Sequence, residues 1–151
     1  MTQSTRELSV SRTIAAPPEK VWEVLTERTA EWWCPKPWRA EITAWERRPG
    51  GRSAMVMKGP DGEEHPQEGM FVAWDEGRRF AFTDAMTADL QPQGPFMIGI
   101  FEIAPEGTGT RYTASARHWT DAAVEQHKAM GFEDGWGVVA DQLKALCEAN
   151  A

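Results

Sequence analysis

The sequence lacks several features that would assign it to a particular class of protein. Its 16 Lys and Arg against 23 Asp and Glu give a formal net charge of −7, and no local cluster of basic residues offsets it, which argues against nucleic acids and anionic membranes as partners. No apolar run approaches the roughly 18 residues of a membrane span. Residues 1–10 lack the apolar core of a signal peptide, so we expect a cytoplasmic protein.

Cysteine and histidine are scarce, and this limits the possible chemistry. The two cysteines, Cys34 and Cys147, have no partner motif and fit reduced thiols rather than a disulfide scaffold. The three histidines form no His-x-x-x-His pair, so we expect no metal site. The sequence also has no phosphate-binding glycine loop, no nucleophile elbow and no dinucleotide fingerprint, so we expect no cofactor.

Tryptophan, by contrast, is abundant, with eight in a chain of 151 residues. A tryptophan cluster often lines a cavity, because the indole is seldom fully buried and its N–H group needs a partner. The alternative is that the tryptophans occupy ordinary packing sites. The chain length predicts one domain over residues 1–151, long enough to bury about 68–70% of its unfolded surface.

The hydrophobic pattern predicts an α+β fold in which strands precede a long helix. Residues 7–14 alternate between polar and apolar side chains, which indicates a half-buried strand. Pro17 and Pro18 then open a short helix, and a second short helical turn carries Trp32 and Trp33. Runs separated by glycine-rich turns predict further antiparallel strands, with Gly69 as a bulge or bend.

Residues 120–147 are predicted to form a long helix with a break in its middle, which would cover the inner face of the sheet. Thr120 supplies a helix start. Gly131, Gly135 and Gly137 indicate a kink or a close approach of another segment. The apolar stripe of this helix consists of Phe132, Trp136, Val139, Leu143 and Leu146.

Two positions leave alternatives open at this stage. Arg12 falls on the apolar face of the first strand. Its stem could carry the charge out to solvent, or the charge could lie inside a cavity and pair with an anionic ligand group or a buried carboxylate. Residues 85–95 contain two prolines and few periodic apolar positions, so this segment is either a lid over a cavity or a solvated connection.

The order and spacing of several short motifs resemble the START-like (SRPBCC) superfamily, and within it the small proteins related to the carboxy-terminal domain of the activator of Hsp90 ATPase. The resemblance spans about residues 7–148. It is carried by residues 16–22, Trp32-Trp33 with Pro35, the turns at 49–51 and 59–62, Thr110-Arg111-Tyr112, His118, Gly135-Trp136, Leu143 and Leu146.

The resemblance implies a helix-grip fold. A curved antiparallel sheet of about six or seven strands would wrap around the long C-terminal helix, with two short helices after the first strand and an apolar cavity between sheet and helix. The superfamily has no shared catalytic motif to transfer to this chain. The Hsp90 co-chaperone also has a separate amino-terminal domain for which we expect no room here, which argues against Hsp90 activation.

We therefore expect a monomer or homodimer that binds a small apolar or aromatic molecule in this cavity. The predicted ligand-binding residues are Arg12, Trp33, Met55, Met57, Phe80, Phe82, Phe101, Tyr112, His118, Trp136 and Val139. One alternative is a cofactor-independent cyclase, dehydratase or hydrolase that uses the same cavity, with His118 and Asp84 as catalytic candidates. The other is a protein-interaction or co-chaperone-like module that docks a partner through exposed tryptophans.

Overall fold

The computed structural model describes residues 6–94 and 97–149, which form one seven-stranded antiparallel sheet and four helices. No helix in that part of the chain is long and apolar enough to cross a membrane. The strands are β1 (Glu7–Ile14), β2 (Arg39–Trp45), β3 (Arg52–Lys58), β4 (Glu64–Asp75), β5 (Arg79–Thr83), β6 (Met97–Glu106) and β7 (Gly109–His118). The helices are α1 (Pro18–Glu27), α2 (Thr29–Trp32), α3 (Asp121–Ala129) and α4 (Phe132–Glu148).

The strand order is β1-β7-β6-β5-β4-β3-β2, which places the first strand next to the last. Strands β2 to β7 follow one another as neighbours, and β1 pairs antiparallel with β7 from Glu7↔Arg117 to Ile14↔Thr110. The two short helices α1 and α2 lie between β1 and β2 in the chain and so join the two edges of the sheet. The predicted α+β helix-grip fold, with two short helices after the first strand, is confirmed.

The predicted terminal helix is divided into two helices at the predicted break. Thr120 caps α3, because its side chain accepts a hydrogen bond from the backbone N–H of Ala123 at 3.0 Å. Gly131 has a φ of 89°, a left-handed conformation that glycine adopts without the steric cost of a Cβ atom. It ends one helix and begins the next, so the break is a junction between helices rather than a kink.

The other two glycines of this segment lie inside α4 without interrupting it. A Cβ atom on Gly137 would lie 3.1 Å from Nη2 of Arg12, so this glycine permits a close approach of β1. A Cβ atom on Gly135 would meet nothing within 4 Å. The two glycines therefore have different roles, one in packing against the sheet and the other in leaving space open.

Of the two predictions for Gly69, a bulge or a bend, the bulge is wrong in its position, and the bend stays a prediction. Gly69 pairs regularly with Ser53, and the register shift between β4 and β5 lies between Phe71 and Ala73. Gly69 instead faces the backbone carbonyl of Thr83 so closely that a Cβ atom would not fit. The hydrophobic pattern of residues 96–103 also predicts a strand. Its first residue, Phe96, and Pro95, the last residue of the segment 85–95, lie outside the described residues.

Helix α4 is attached to β1, which is an edge strand of the sheet. Nε of Arg12 donates to Oδ1 of Asp141 at 2.7 Å, and Nζ of Lys144 donates to the carbonyl oxygen of Thr13 at 2.8 Å. Edge strands expose unpaired backbone groups that can pair with other chains. These side chains of α4 therefore cover part of the open edge while they hold the helix in place.

The apolar attachment of α4 can be tested with two substitutions in the same helix. Leu143 is fully buried, whereas Val138 is 43% exposed. We expect Leu143→Ala to lower the free energy of unfolding by about 2–5 kcal/mol, because it removes buried methyl groups and leaves a cavity. Val138→Ala should change it by less than about 0.5 kcal/mol. Equal losses in urea denaturation would contradict this packing.

Candidate functional site

A cavity of about 600 Å³ lies between the inner face of the sheet and helices α2 and α4. Alternate residues of a strand point to the same face of a sheet, so β3, β5, β6 and β7 each contribute side chains to one wall. Trp32 and Trp33 from the α2 region and Trp136 and Val139 from α4 form the opposite wall. The lining is mostly apolar and aromatic.

Most of the residues predicted to bind a ligand lie on the surface of this cavity. Their proximity follows from strand pairing and from the helical spacing of residues 136 and 139, and their contact with a ligand stays a prediction. The predicted residues on the cavity surface are Trp33, Met55, Met57, Phe82, Phe101, Tyr112, Trp136 and Val139.

Three predicted residues lie elsewhere. Arg12 pairs with Asp141 at the contact between β1 and α4 instead of pointing its charge into the cavity. Phe80 is fully buried and stacks between Trp74 and Phe101, with ring centroids 5.1 Å from each. His118 is buried behind the lining, because the strand ends there and α3 packs over it.

Phe101 is the centre of a cluster of rings that reaches from the sheet across to Trp33 and Trp136, and we call this cluster the aromatic wall. Its ring lies nearly parallel to the ring of Trp136, with a centroid distance of 5.8 Å and an interplanar angle of 8°. It is also nearly parallel to Phe82, at 6.1 Å and 11°. Trp33 lies against the same ring at 5.3 Å with a tilt of 42°. Because these rings support one another, the wall offers a firm apolar surface.

Some tryptophans occupy ordinary packing sites, and others line the cavity, so each of the two interpretations holds for part of the set. Trp22 and Trp74 pack in the core, and their indole N–H groups both donate to the carboxylate of Glu76 at 2.8 Å. Trp119 is 43% exposed. The tryptophans that line the cavity are Trp32, Trp33 and Trp136.

His127 also lines the cavity, although its sequence position did not predict this. It lies on α3, three residues after Val124, and both side chains are buried. The spacing of Val124 and His127 could have indicated that His127 is buried, because positions three apart share one face of a helix. Met97, Met130 and Gly135 are further lining residues that were not predicted.

The rings of His118 and His127 are joined by a hydrogen bond of 2.8 Å between Nε2 of His118 and Nδ1 of His127. Nδ1 of His118 lies 3.0 Å from the carbonyl oxygen of Arg6. A carbonyl oxygen only accepts, so Nδ1 of His118 carries a hydrogen. When both rings are neutral, Nε2 of His118 must accept from Nδ1–H of His127. The lone pair of His127 is then on its Nε2 atom.

Burial, together with repulsion by His118 when that ring is charged, lowers the pKa of His127 to about 4. His127 is therefore neutral near pH 7. The buried pair differs from His65, which is exposed and stacks on Trp38 at a centroid distance of 5.6 Å.

One end of the cavity is polar and is bordered by the loop that was predicted as a possible lid. Gln93 on this loop donates from Nε2 to the carbonyl oxygens of Glu68 and Asp84, at 2.9 and 3.0 Å. The carboxylate of Asp84 accepts from the backbone N–H of Met97 at 3.3 Å. Asp84 thus lines the cavity but also joins the loop to β6, which is a structural role.

A single arginine links the same loop to the sheet. Arg52 pairs with Glu68 on the neighbouring strand and donates to Asp89 in the loop at 2.8 Å. The loop also forms a bridge between Met86 and Pro92. This loop is therefore hydrogen-bonded to the sheet and to itself. These bonds argue against a purely solvated connection and also against a lid that moves freely.

The two cysteines are buried and unbonded to each other. Burial raises the pKa of the Cys34 thiol, and it raises the pKa of Cys147 to about 11. A thiol with a raised pKa is protonated near pH 7 and is a poor nucleophile. Cys34 lines the cavity and therefore contributes an apolar surface rather than a reactive thiolate.

The shifted pKa of His127 predicts a pH dependence of stability. Between pH 6.5 and about 4, the unfolded chain protonates this residue but the folded chain does not, so stability falls as the pH is lowered through this window, by up to about 3 kcal/mol. We expect His127→Gln to show a smaller loss between pH 7 and pH 4.5 in urea denaturation.

His65→Gln is the matched control for this experiment, since His65 is exposed. Carboxylates that titrate below pH 5 affect all three proteins alike, so the comparison between variants isolates His127. The expectation fails if the wild type and His127→Gln lose the same free energy over this pH range.

Comparison with known proteins gives a family and a set of structural relatives. The sequence profile of the family described as Activator of Hsp90 ATPase homolog 1-like protein matches residues 15–148. Protein NE0264 from Nitrosomonas europaea is 34% identical over 99% of this chain and 98% of its own, with a TM-score of 0.90. No curated protein matches the sequence.

More distant structures agree in fold. Protein Ms6760 from Mycobacterium smegmatis is 28% identical over 94% of this chain and 90% of its own, with a TM-score of 0.78. The AHSA1 protein SPO3351 from Silicibacter pomeroyi is 18% identical over 96% of this chain and 99% of its own, with a TM-score of 0.75, a likeness that shows the fold alone. The family match spans most of the sequence, and the chain therefore belongs to the Activator of Hsp90 ATPase homolog 1-like family.

Proposed function

We propose that this protein binds a small apolar or aromatic molecule in the cavity between the sheet and α4. The observation that carries the proposal is the volume and lining of this cavity, which holds about 600 Å³ and is bordered largely by aromatic and methionine side chains. Binding sites for small molecules are usually concave and mostly apolar, with volumes of roughly 300–1,000 Å³. The cavity falls within that range.

The side chains around the cavity suit a ligand with a flat aromatic part. The wall formed by Phe82, Phe101 and Trp136 consists of nearly parallel rings, and aromatic groups gain from contact with such rings beyond their buried area. Met55 and Met57 lie on the sheet side. Methionine adapts its shape readily, so these side chains can adjust to ligands of different outline.

We further propose that the protein acts in the cytoplasm, as a monomer or a homodimer, without nucleic acid or membrane partners. The net charge of −7 supports this, since it disfavours binding to phosphate groups and anionic lipids. Cys34 and Cys147 are free and buried, which suits a reducing compartment.

Native mass spectrometry tests the proposal directly. The protein would be purified from its own host without denaturation and measured intact, and we expect a second species that is heavier by the mass of one small organic molecule. A denatured sample of the same preparation gives the mass of the chain alone and serves as the control. A single species at the chain mass, followed by failure to bind any apolar probe, would remove the support for a binding function.

A substitution that occupies the cavity should compete with the ligand. Gly135 lines the cavity and has open space around its Cβ position, so a side chain there points into an empty region. We expect Gly135→Phe to fold and to lower the affinity for the neutral fluorescent probe N-phenyl-1-naphthylamine by at least roughly tenfold. Probe fluorescence measures binding, and circular dichroism measures folding.

Ala145→Phe is the matched control, because it adds the same side chain to an exposed position of the same helix. It should bind the probe as the wild type does. If Gly135→Phe and Ala145→Phe bind the probe equally well, the probe binds somewhere other than this cavity.

A further inference from the structure

We propose that Gly99 determines the size of the molecule that the cavity accepts, because it lets the ring of Phe82 lie on β6 and leaves the space above that ring for a ligand. The ligand class that fits is an extended aromatic molecule, in which a second ring is attached to a first ring system. Phe82 contacts the ligand, and Gly99 is its positioning residue. This inference rests on the proposed binding function and deepens it, because it names the size and shape of the ligand.

Gly99 lies on the face of β6 that borders the cavity. Met97 and Phe101, two residues before and after it, both line the cavity, and alternate residues of a strand point to the same face. A side chain at position 99 would therefore point toward the cavity as well. Glycine weakens the interior of a strand relative to alanine. Its presence at this buried position indicates that another group uses the space above it.

The ring of Phe82 occupies the space that a side chain at position 99 would need. The two residues are directly opposite each other in the pairing of β5 with β6. A Cβ atom on Gly99 would lie 2.6 Å from Cε1 and 3.0 Å from Cζ of Phe82. Carbon atoms that are not bonded prefer a separation of about 3.5–4.0 Å. Alanine at position 99 is therefore incompatible with the present position of the ring.

Phe82 has room to move toward the cavity when a larger residue replaces Gly99. Its ring is flanked by Phe101 at a centroid distance of 6.1 Å and by Trp33 at 5.7 Å. The strand β6 lies beneath the ring, and Phe82 itself lines the cavity. A methyl group at position 99 lifts the ring off β6, so the displaced ring enters the volume in which a ligand would bind.

The strand beside β6 also carries small residues on this part of the inner face. Ala116 pairs with Gly99, and Ala114, which lines the cavity, pairs with Phe101. Such short side chains rise little above the backbone, so the cavity is deep at this point. The depth depends on Phe82 staying against Gly99, because the phenyl ring is far larger than its neighbours on β7.

The cavity has the dimensions of a site for a ligand with more than one ring system. Its volume of about 600 Å³ lies well inside the range of sites that bind drug-sized molecules. The nearly parallel rings of Phe82, Phe101 and Trp136 offer several ring faces along the aromatic wall. A ligand with two attached ring systems can contact more than one of these faces, and each such contact adds to its affinity.

Two fluorescent probes that differ by one phenyl ring test this size selection: N-phenyl-1-naphthylamine and 1-naphthylamine. We expect the wild type to bind N-phenyl-1-naphthylamine at least roughly tenfold more tightly, because the cavity buries the additional ring. Probe fluorescence at pH 7 measures both dissociation constants, and their ratio is the readout of size.

The substitution Gly99→Ala assigns this ratio to the glycine. It should lower the affinity for N-phenyl-1-naphthylamine at least roughly fivefold and leave the affinity for 1-naphthylamine within about twofold of the wild type. Gly135→Ala is the matched control, because it adds the same methyl group to a glycine of the lining whose Cβ position meets nothing within 4 Å. It should keep the ratio of the wild type. Circular dichroism checks that each variant folds.

A double-mutant cycle tests whether Gly99 acts through Phe82. Leucine at position 82 has no ring to be displaced, so Gly99→Ala should lower the affinity for N-phenyl-1-naphthylamine in the wild type but by less than about twofold in Phe82→Leu. An equal loss in both backgrounds overturns the role of Gly99 as a positioning residue for Phe82. A general effect on the stability of the strand would give that equal loss.

NMR of the wild type tests the inference without any substitution at Gly99. Nuclear Overhauser effects should connect the ring protons of Phe82 with the α-protons of Gly99, both in the free protein and in the complex with N-phenyl-1-naphthylamine. The complex should also show contacts between Phe82 and the probe. If the contact with Gly99 is absent, or if the probe does not contact Phe82, the inference is overturned, even where Gly99→Ala fails to fold.

The results separate the inference from the proposed function. If the wild type binds both probes equally, or if Gly99→Ala keeps the ratio of the wild type, the binding function stands and the role of Gly99 is overturned. If the wild type binds neither probe, both the inference and the proposed function are wrong.

Discussion

The attachment of α4 to the edge strand β1 is the constraint on which the rest of the molecule depends. Leu143 and Ala140 are on the buried face of α4, and Arg12 and Lys144 add polar contacts between the two elements. A helix is nearly straight, whereas an antiparallel sheet twists, so a helix held along one edge cannot contact the whole inner face. The part of the sheet that α4 does not contact forms one wall of the cavity.

The junction at Gly131 determines which residues of α3 reach the cavity lining. A continuous helix would extend α4 in one direction, but the left-handed conformation at Gly131 lets α3 turn towards the end of β7. His127 thereby meets His118 and reaches the lining. The same junction thus links a local backbone feature to the position of a histidine pair beside the cavity.

Family membership and the geometry of the cavity contribute different information about function. The family match and the related structures assign the fold, whereas the cavity and its lining are read from the geometry of this chain. The ring of Trp136 lies nearly parallel to Phe101, and His127 packs edge-on against the same tryptophan.

Much of the fold could be predicted from the sequence, because alternation, helical spacing, proline and glycine act through neighbouring residues. The strands, the cap at Thr120 and the break near Gly131 are of this kind. Met55 and Met57 of β3 lie on the cavity surface as predicted. Phe80 of β5 does not, because its burial between other rings depends on distant chain segments.

Only the tertiary structure decided that Arg12 pairs with Asp141 and that His118 meets His127. These partners are brought together by the packing of separate elements, and no local pattern in the sequence encodes the direction of their side chains.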